Sequence, residues 1–513
     1  MKTFRKILIA NRGEIALRIM RACKELDIPT VAVYSDADRA APHVFAAGEA
    51  YRLGPAPSAE SYLRTDLILE TARQCGADAI HPGYGFLSEN PVFAELCEAA
   101  AIKFIGPPAS AMRTLGSKIL ARQAADRVGI PRVPGSTIAL DGLENALVLA
   151  GEMGYPVMLK AAAGGGGKGM RAVPDEATLA YAFEAARSEA ERAFGSDEVY
   201  IEKLVERPRH IEIQILADEH GNCVHLGERD CSVQRRHQKV IEEAPSPILS
   251  ATLRRQMGES AVKLAQSAGY TNAGTVEFLV ETGDDGVPRN FYFLEMNTRL
   301  QVEHPVTELT TGLDLVHLQI AIAKGEKLPF AQDEIHLRGH AIECRIYAED
   351  PDNGFMPSPG KITRLLQPSG PGIREDSGVY EGWVVPMDYD PMLSKLIAYA
   401  PTRELAIARM QRALGEYFIA GIQTNLGLFR RILNDSEFKS GIIDTGYLDR
   451  HLTKTVKDST AVHENGISTE DVAAVAVSLF SVLQEKHIIS SEDTRDSVSS
   501  PWKQSARLEA LRP

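Results

Sequence analysis

The 513-residue chain lacks any run of about 18 uncharged apolar residues, so its sequence offers no membrane-spanning helix. It also lacks a surplus of positive charge: 69 acidic against 56 basic residues leave a formal net charge of −13. That balance argues against a nucleic-acid surface, because phosphate binding needs clustered cations. Cysteine is sparse. The six, Cys23, Cys75, Cys97, Cys223, Cys231 and Cys344, include no C-x-x-C pair, which removes a zinc site and a disulfide framework and points to a reducing cytoplasm. Internal repeats are missing. At the N-terminus Lys2, Arg5 and Lys6 precede the apolar run Ile7 to Ala10, but Asn11, Arg12 and Glu14 break it far short of a signal peptide, and it reads as a buried strand. No Walker A loop exists either: Gly167-Lys168 is followed by Gly169, and Gly116-Ser117-Lys118 by Ile119, which excludes a P-loop fold.

What is present is the composition of a soluble globular enzyme, 44% hydrophobic and 24% charged with 41 Gly and 28 Pro. The length predicts two or three subdomains packed around a shared cleft. Residues 6–110 alternate short apolar runs (6–10, 30–34, 79–81, 104–106) with helix-period segments such as 14–26, the pattern of a parallel sheet wrapped by helices. Ligands of such sheets collect at the carboxyl ends of the strands. A second unit, 132–204, holds a strand at 157–160 and then Gly164, Gly165, Gly166 and Gly167. Four glycines in a row read as a mobile hairpin able to cover phosphates with backbone N–H groups, or equally as a flexible linker. From 205 to 446 strand and helix mix, with a hairpin from 275–280 through Asp284, Asp285 and Gly286 into 290–296. The tail, 447–513, predicts a capped amphipathic helix from Ser468 and a polar linker over 490–500.

The segment 295–303 carries the most chemistry. Read as an extended strand, Glu295, Asn297, Arg299, Gln301 and Glu303 share one face while Met296, Leu300 and Val302 share the other. A solvated sheet face has the same alternation, but this one mixes oxygen ligands, a fixed cation and a free carboxylate. Glu277 falls on the partner strand, where its carboxylate meets Glu295 and Asn297 across the pair. Such a group either surrounds a hard cation, Mg²⁺ or Mn²⁺, or holds Glu277 in an ordinary ion pair. Lys118 and Lys160 could neutralise phosphates from opposite sides. The polar run Glu228 to Lys239, with Gln234, His237 and Lys239, reads as a small-anion pocket rather than a nucleic-acid loop, given the overall charge and the adjacent Glu242 and Glu243.

At these residues the sequence resembles the biotin carboxylase family of the ATP-grasp superfamily across residues 1 to about 450. The resemblance is carried by IANRGEIALRI, AIHPGYGFLSEN, KAAAGGGGKGM, ERDCSVQRRHQKVIEEAP, EMNTRLQVEHPVTE, GHAIECRIYAEDP and YDPMLSKL. It implies an α/β fold, α+β in parts: a Rossmann-like subdomain over 1–115, a glycine-rich lid over 132–204 and a C-terminal mixed-sheet subdomain over 205–446. It further implies that ATP is held by Lys118, Lys160, the Gly164–Gly167 run, His210, Gln234 and His237, its adenine by Glu202, Lys203, Leu204 and Val205. Glu277, Glu295 and Asn297 match the family's ligands for Mg²⁺ or Mn²⁺, two ions in all. Lys239, Arg299, Gln301, Val302 and Glu303 match the bicarbonate site, with Glu303 as general base, and Arg345 and Tyr84 match the biotin site. The implied activity is ATP-dependent carboxylation of biotin through carboxyphosphate. The chain has no Met-Lys-Met acceptor, so biotin is expected on a separate biotin carboxyl carrier protein, with a carboxyltransferase as further partner and a homodimer as the assembly. The tail either docks such a partner or packs on its own body. Two other readings remain: an ATP-grasp ligase forming an acyl phosphate for an amine acceptor, and a nucleotide-binding scaffold without turnover.

Overall fold

The computed structural model describes residues 3–136, 138–161, 170–283 and 285–453. Residues Met1–Asp449 form one compact unit, which contains everything discussed below, and Arg450–Pro513 form another. The glycine run and the predicted tail helix lie outside the described residues. Among those described, no helix is long and apolar enough to cross a membrane.

Near the N-terminus, β1 (Ile7–Ile9), β2 (Thr30–Ser35), β3 (Glu49–Gly54), β4 (Ala79–His81) and β5 (Lys103–Phe104) form a parallel sheet in the order β3-β2-β1-β4-β5. β1 and β4 are buried along their whole length, which is why they read as continuous apolar runs rather than alternating ones. Helix α1 (Gly13–Glu25) covers the sheet with Ile15, Ala16, Ile19 and Met20, and also buries Glu14 and Arg18. β3 has no apolar run to announce it: its pattern is half exposed, and parallel pairing to β2 is what makes it a strand.

Helix α2 (Lys118–Arg127), capped by the Ser117 hydroxyl, leads to a small antiparallel sheet of β6 (Val157–Ala161), β7 (Met170–Val173) and β8 (Val199–Lys203), ordered β7-β6-β8. Its apolar face packs on α3 (Glu176–Phe194) through Leu179, Phe183 and Ala186.

The largest element is an antiparallel sheet of eight strands. These are β9 (Arg209–Ala217), β10 (Cys223–Arg235), β11 (Gln238–Ala244), β12 (Asn272–Thr282), β13 (Pro288–Asn297), β14 (His340–Tyr347), β15 (Ile373–Ser377) and β16 (Met392–Ala400), in the order β13-β12-β9-β10-β11-β14-β16-β15. One face packs on α4 (Ala251–Ser267) through Ile211, Ile213, Ile215, Val276 and Phe278. The other face carries polar side chains and α5 (His304–Thr311), and it builds the site. The 228–239 run is the end of β10, buried through Gln234, joined to the start of β11 by a two-residue turn at Arg236 and His237.

Candidate active site

Along β9 the sequence Arg209-His210-Ile211-Glu212-Ile213-Gln214-Ile215 alternates, so the isoleucines enter the core while His210, Glu212 and Gln214 share the opposite face. Pairing then lines up acids. Arg229 of β10 stands beside Glu212, Glu212 beside Glu277 of β12, and Glu277 beside Glu295 of β13. Three carboxylates side by side on adjacent strands repel one another unless cations intervene. Arg229 holds Glu212 at 2.5 Å. Lys239 then reaches over the row, its Nζ 2.5 Å from Glu212, 2.8 Å from Glu277 and 2.7 Å from Glu303. Burial alone would lower the Lys239 ammonium, but those three acids outweigh it and raise it well above the usual lysine range. Glu277 also takes His210 Nε2 at 3.1 Å, and is held far below the usual carboxylate range despite its burial, chiefly by Lys239 and His210. Glu277 is therefore ion-paired, and it also lies against Glu295 and accepts from the Asn297 amide at 2.7 Å.

Glu295 ends the row. Burial and then Glu277 raise its carboxyl against the pull of Lys118. Two carboxylates and the Asn297 amide, with no thiolate, form a donor set that suits Mg²⁺ or Mn²⁺, and a cation between the acids would relieve their repulsion. His210, Glu212 and Glu277 also approach one another. Both oxygens of Glu212 are taken by Arg229 and Lys239, just as Glu277 is engaged by Lys239 and His210 and Asn297 Oδ1 by Arg299.

One expectation needs correction. The strand ends at Asn297, and residues 298–303 run irregularly into α5, with Glu303 preceding its first turn. The polar groups converge nonetheless, through hydrogen bonds rather than through a pleat. Arg299 donates to Asn297 Oδ1 at 3.1 Å, to Gln301 Oε1 at 3.2 Å and to Glu89 at 2.9 Å, while Gln301 donates to Glu277 at 3.0 Å. Leu300 enters the core, and the Val302 carbonyl accepts from buried Lys395 at 2.8 Å. Glu303 is fully buried between Lys239 and Arg345, the latter at 3.0 Å. Burial would raise its carboxyl, but Lys239, Arg345 and Arg229 press it far below the usual range.

Two cavities meet here. One, about 430 Å³, is lined by Lys118, Lys160, Glu202, Lys203, Leu204, Val205, His210, Gln234, His237, Lys239, Glu277, Glu295 and Asn297 among others. Lys160 pairs with Glu202 at 2.5 Å, which Arg122 also contacts, and Lys203 donates to the Gly154 and Tyr155 carbonyls at 3.0 Å. The second, about 490 Å³, is walled by Tyr84, Phe86, Tyr347 and Tyr389, with Arg12 over the Tyr389 ring. Arg299, Val302 and Arg345 line both. Of the polar run 228–239, only Gln234, His237 and Lys239 reach a nucleotide-sized cavity: Arg229 is buried on Glu212, Gln214, Thr275 and Thr307, and Arg235 stacks on Phe355.

Sequence reasoning missed Glu212, Arg229, Glu89, Glu242 and Arg122. The alternation of β9 signals Glu212, since it places that acid on the face of His210. Nothing local signals Glu89, which reaches Arg299 from a chain position 210 residues away.

Family comparisons agree with this geometry. Residues 3–112 match the model of the biotin carboxylase N-terminal domain, 117–331 that of the ATP-binding domain of the carbamoyl-phosphate synthase L chain, and 343–450 that of the biotin carboxylase C-terminal domain. A pyruvate carboxylase subunit from Methanothermobacter thermautotrophicus is 52% identical over 93% of this chain and 98% of its own. A biotin carboxylase of Halalkalibacterium halodurans is 55% identical over 88% and 98%. Among solved structures, the Campylobacter jejuni biotin carboxylase in complex with β,γ-ATP superposes with a TM-score of 0.84 at 48% identity, over 88% of this chain and 99% of that one. The biotin carboxylase domain of Hydrogenobacter thermophilus 2-oxoglutarate carboxylase, a dimer with MgADP, ADP and bicarbonate, gives 0.83 at 47%, over 88% and 98%. With a parallel N-terminal sheet, a small lid sheet and an eight-stranded sheet whose polar face gathers Lys239, Glu277, Arg299 and Glu303, the chain belongs to the biotin carboxylase family.

Proposed function

We propose that this chain uses ATP to carboxylate biotin, taking the carboxyl group from bicarbonate and receiving the biotin on a separate carrier protein. The observation that carries this reading is that Lys239, which lines one cavity, and Arg345, which lines both, grip the buried Glu303 directly behind the wall that the two cavities share. On one side lie the cations for a nucleotide, on the other an aromatic slot.

In this reading Lys118, Lys160, His210, Gln234 and His237 hold the ATP phosphates and ribose together with the Gly164–Gly167 run, and Glu202, Lys203, Leu204 and Val205 hold adenine. Glu277, Glu295 and Asn297 would bind Mg²⁺ or Mn²⁺, which offsets charge on the transferring phosphoryl group. Lys239, Arg299, Gln301 and Val302 place bicarbonate in line with the γ-phosphate. Glu303 is ionised at neutral pH and so ready to accept the bicarbonate proton. An arriving anion competes with Glu303 for Lys239 and Arg345, and this raises the basicity of Glu303 at the moment it is needed. Carboxyphosphate and ADP result. Carboxyphosphate then yields CO₂ and phosphate, the phosphate takes the N1 proton of biotin, and Arg345, with Tyr84 beside it, stabilises the oxyanion that develops on the ureido group.

We divide the chain accordingly into 1–115, 132–204, 205–446 and 447–513, and assign it to a multi-subunit carboxylase with a carboxyltransferase partner and a homodimeric carboxylase core. Six unpaired thiols suit the reducing cytoplasm. Free biotin with bicarbonate is expected to stimulate ATP hydrolysis. Glu303→Gln should lower that rate by about 10²- to 10⁴-fold while nucleotide still binds in an equilibrium titration. Stimulation by an amine acceptor in place of biotin counts against the assignment.

A further inference from the structure

Behind Arg345 lies a buried group of acids for which the reaction scheme has no use. Glu242 of β11 and Glu343 of β14 are register partners and fully buried. Arg345 and Lys395 are register partners one strand over, so Glu343 and Arg345, two apart on β14, share a face with Glu242 and Lys395. Arg345 grips Glu242 through Nε at 2.6 Å and Glu303 through Nη2 at 3.0 Å. The second oxygen of Glu242 and both oxygens of Glu343 have no hydrogen-bond partner among the described residues.

The other charged groups on this face are accounted for. Lys395, also fully buried, gives its Nζ to the Val302 carbonyl at 2.8 Å and to Glu14 at 3.1 Å, with Asp376 of β15 at 3.8 Å. Asp376 has Arg374 at 2.7 Å, and Glu14 takes the Tyr84 hydroxyl. From α5, Glu303 is shared with Lys239, and His304 stays neutral because burial and then Lys395, Arg18 and Arg374 disfavour its cation. Among the described residues no cation comes within ion-pair distance of Glu343, and Lys395 and Arg345 act on it only from farther off. An ionised carboxylate without a partner in such a place is far costlier than a neutral acid. Burial raises the Glu343 carboxyl well above its ordinary range against the pull of Lys395, with Glu242 adding to the rise, and burial pushes Glu242 up to about 7 against the pull of Arg345.

We infer that Glu343 is held as a neutral carboxylic acid, and that together with Glu242 it acts as a positioning device setting the net charge around Arg345. With Glu343 neutral and Glu242 ionised, Arg345 stands between two anions, Glu242 and Glu303. When Glu242 takes up a proton from solvent, the guanidinium keeps Glu303 alone and is free to face an oxyanion. The role assigned to the pair rests on the biotin carboxylase reading of Arg345, whereas its protonation does not.

The test has two arms on the full chain. Infrared spectra of the apoprotein with ¹³C-labelled glutamate carboxyls, at neutral pH, should show an isotope-shifted carboxylic-acid carbonyl band in the wild type that is lost in Glu343→Gln. Absence of that band from the wild type overturns the inference, and so does its persistence at full intensity in a folded Glu343→Gln. If that variant does not fold, Glu343→Asp, which keeps an acid but carries no label, should lose the same band, and its persistence at full intensity there overturns the inference. In the second arm, Glu242→Gln should lower biotin-stimulated turnover about tenfold with the KM for ATP kept, and should remove a pH dependence of kcat between about pH 6 and about pH 8. A variant with the wild-type pH profile contradicts the positioning role. A wild type that shows the band but no biotin-stimulated turnover contradicts the enzyme assignment alone.

Discussion

At the scale of single residues the site is an exercise in charge balance. Glu212, Glu277 and Glu295 would not tolerate one another without Arg229, Lys239 and His210, with Lys118 pulling on Glu295 at the open end of the row. The same logic operates at Glu243, on the other face of β11, where it has a pH signature. Burial alone would raise this carboxyl, but Arg403 at 2.7 Å and His340 at 2.7 Å hold it down at about 2, from 4.5 in the free side chain. A depressed folded value means that the contribution to stability is fully present above about pH 4.5 and is lost as the pH falls from there through about 2. Glu243→Gln should therefore melt well below the wild type near neutral pH, and the gap should narrow as melting is repeated toward about pH 3. A gap that widens in acid contradicts this account.

At the scale of elements, the hairpin between β10 and β11 departs from its sequence expectation in an informative way. A two-residue hairpin turn needs positive φ at both central positions, and glycine or asparagine is the usual answer. Here the turn is Arg236 and His237, with φ of 48° and 65°. Holding side chains in that region costs about 1 kcal/mol each. The return is that His237 is carried on a rigid turn to the rim of the 430 Å³ cavity. His237→Gly should leave thermal stability unchanged or raise it by about 1 kcal/mol while weakening ATP binding in a titration. Equal losses of stability and affinity would show the turn to be structural only. The elements also show what a sequence can reveal. β1, β2 and β4 are legible because a parallel strand buried on both faces is a continuous apolar run, and the β12–β13 hairpin because its strands flank an Asp-Asp-Gly turn. The end of β13 is not legible. Polar alternation continues past Asn297, yet side-chain hydrogen bonds from Arg299 and Gln301 take over from the ladder. Burial of the 228–235 segment is equally hidden, since it depends on partners such as Glu212 and Arg209 that lie elsewhere in the chain.

At the scale of the molecule, the acid-lined and aromatic-lined cavities meet at Arg299, Val302 and Arg345, which on the proposed function would keep nucleotide and carrier-borne biotin on opposite sides of the reacting anion. The two substrates should therefore respond separately to mutation. Tyr84, on the aromatic side, has its hydroxyl on Glu14, and Lys395 lies 5.9 Å from its ring centre. Tyr84→Phe should raise the KM for biotin about tenfold and leave the KM for ATP within about twofold, as steady-state kinetics with each substrate varied will show. A parallel rise in both would mean that the wall does not divide the substrates. The central claim, that the site around Lys239, Arg345 and Glu303 transfers a carboxyl group from bicarbonate to biotin, is tested most directly by following isotope. Purified chain given ATP, Mg²⁺, labelled bicarbonate and free biotin should place the label on the biotin ureido nitrogen, and Glu303→Gln should place none despite binding nucleotide. ATP turnover with unlabelled biotin in the wild type, or labelling by Glu303→Gln at the wild-type rate, would contradict it.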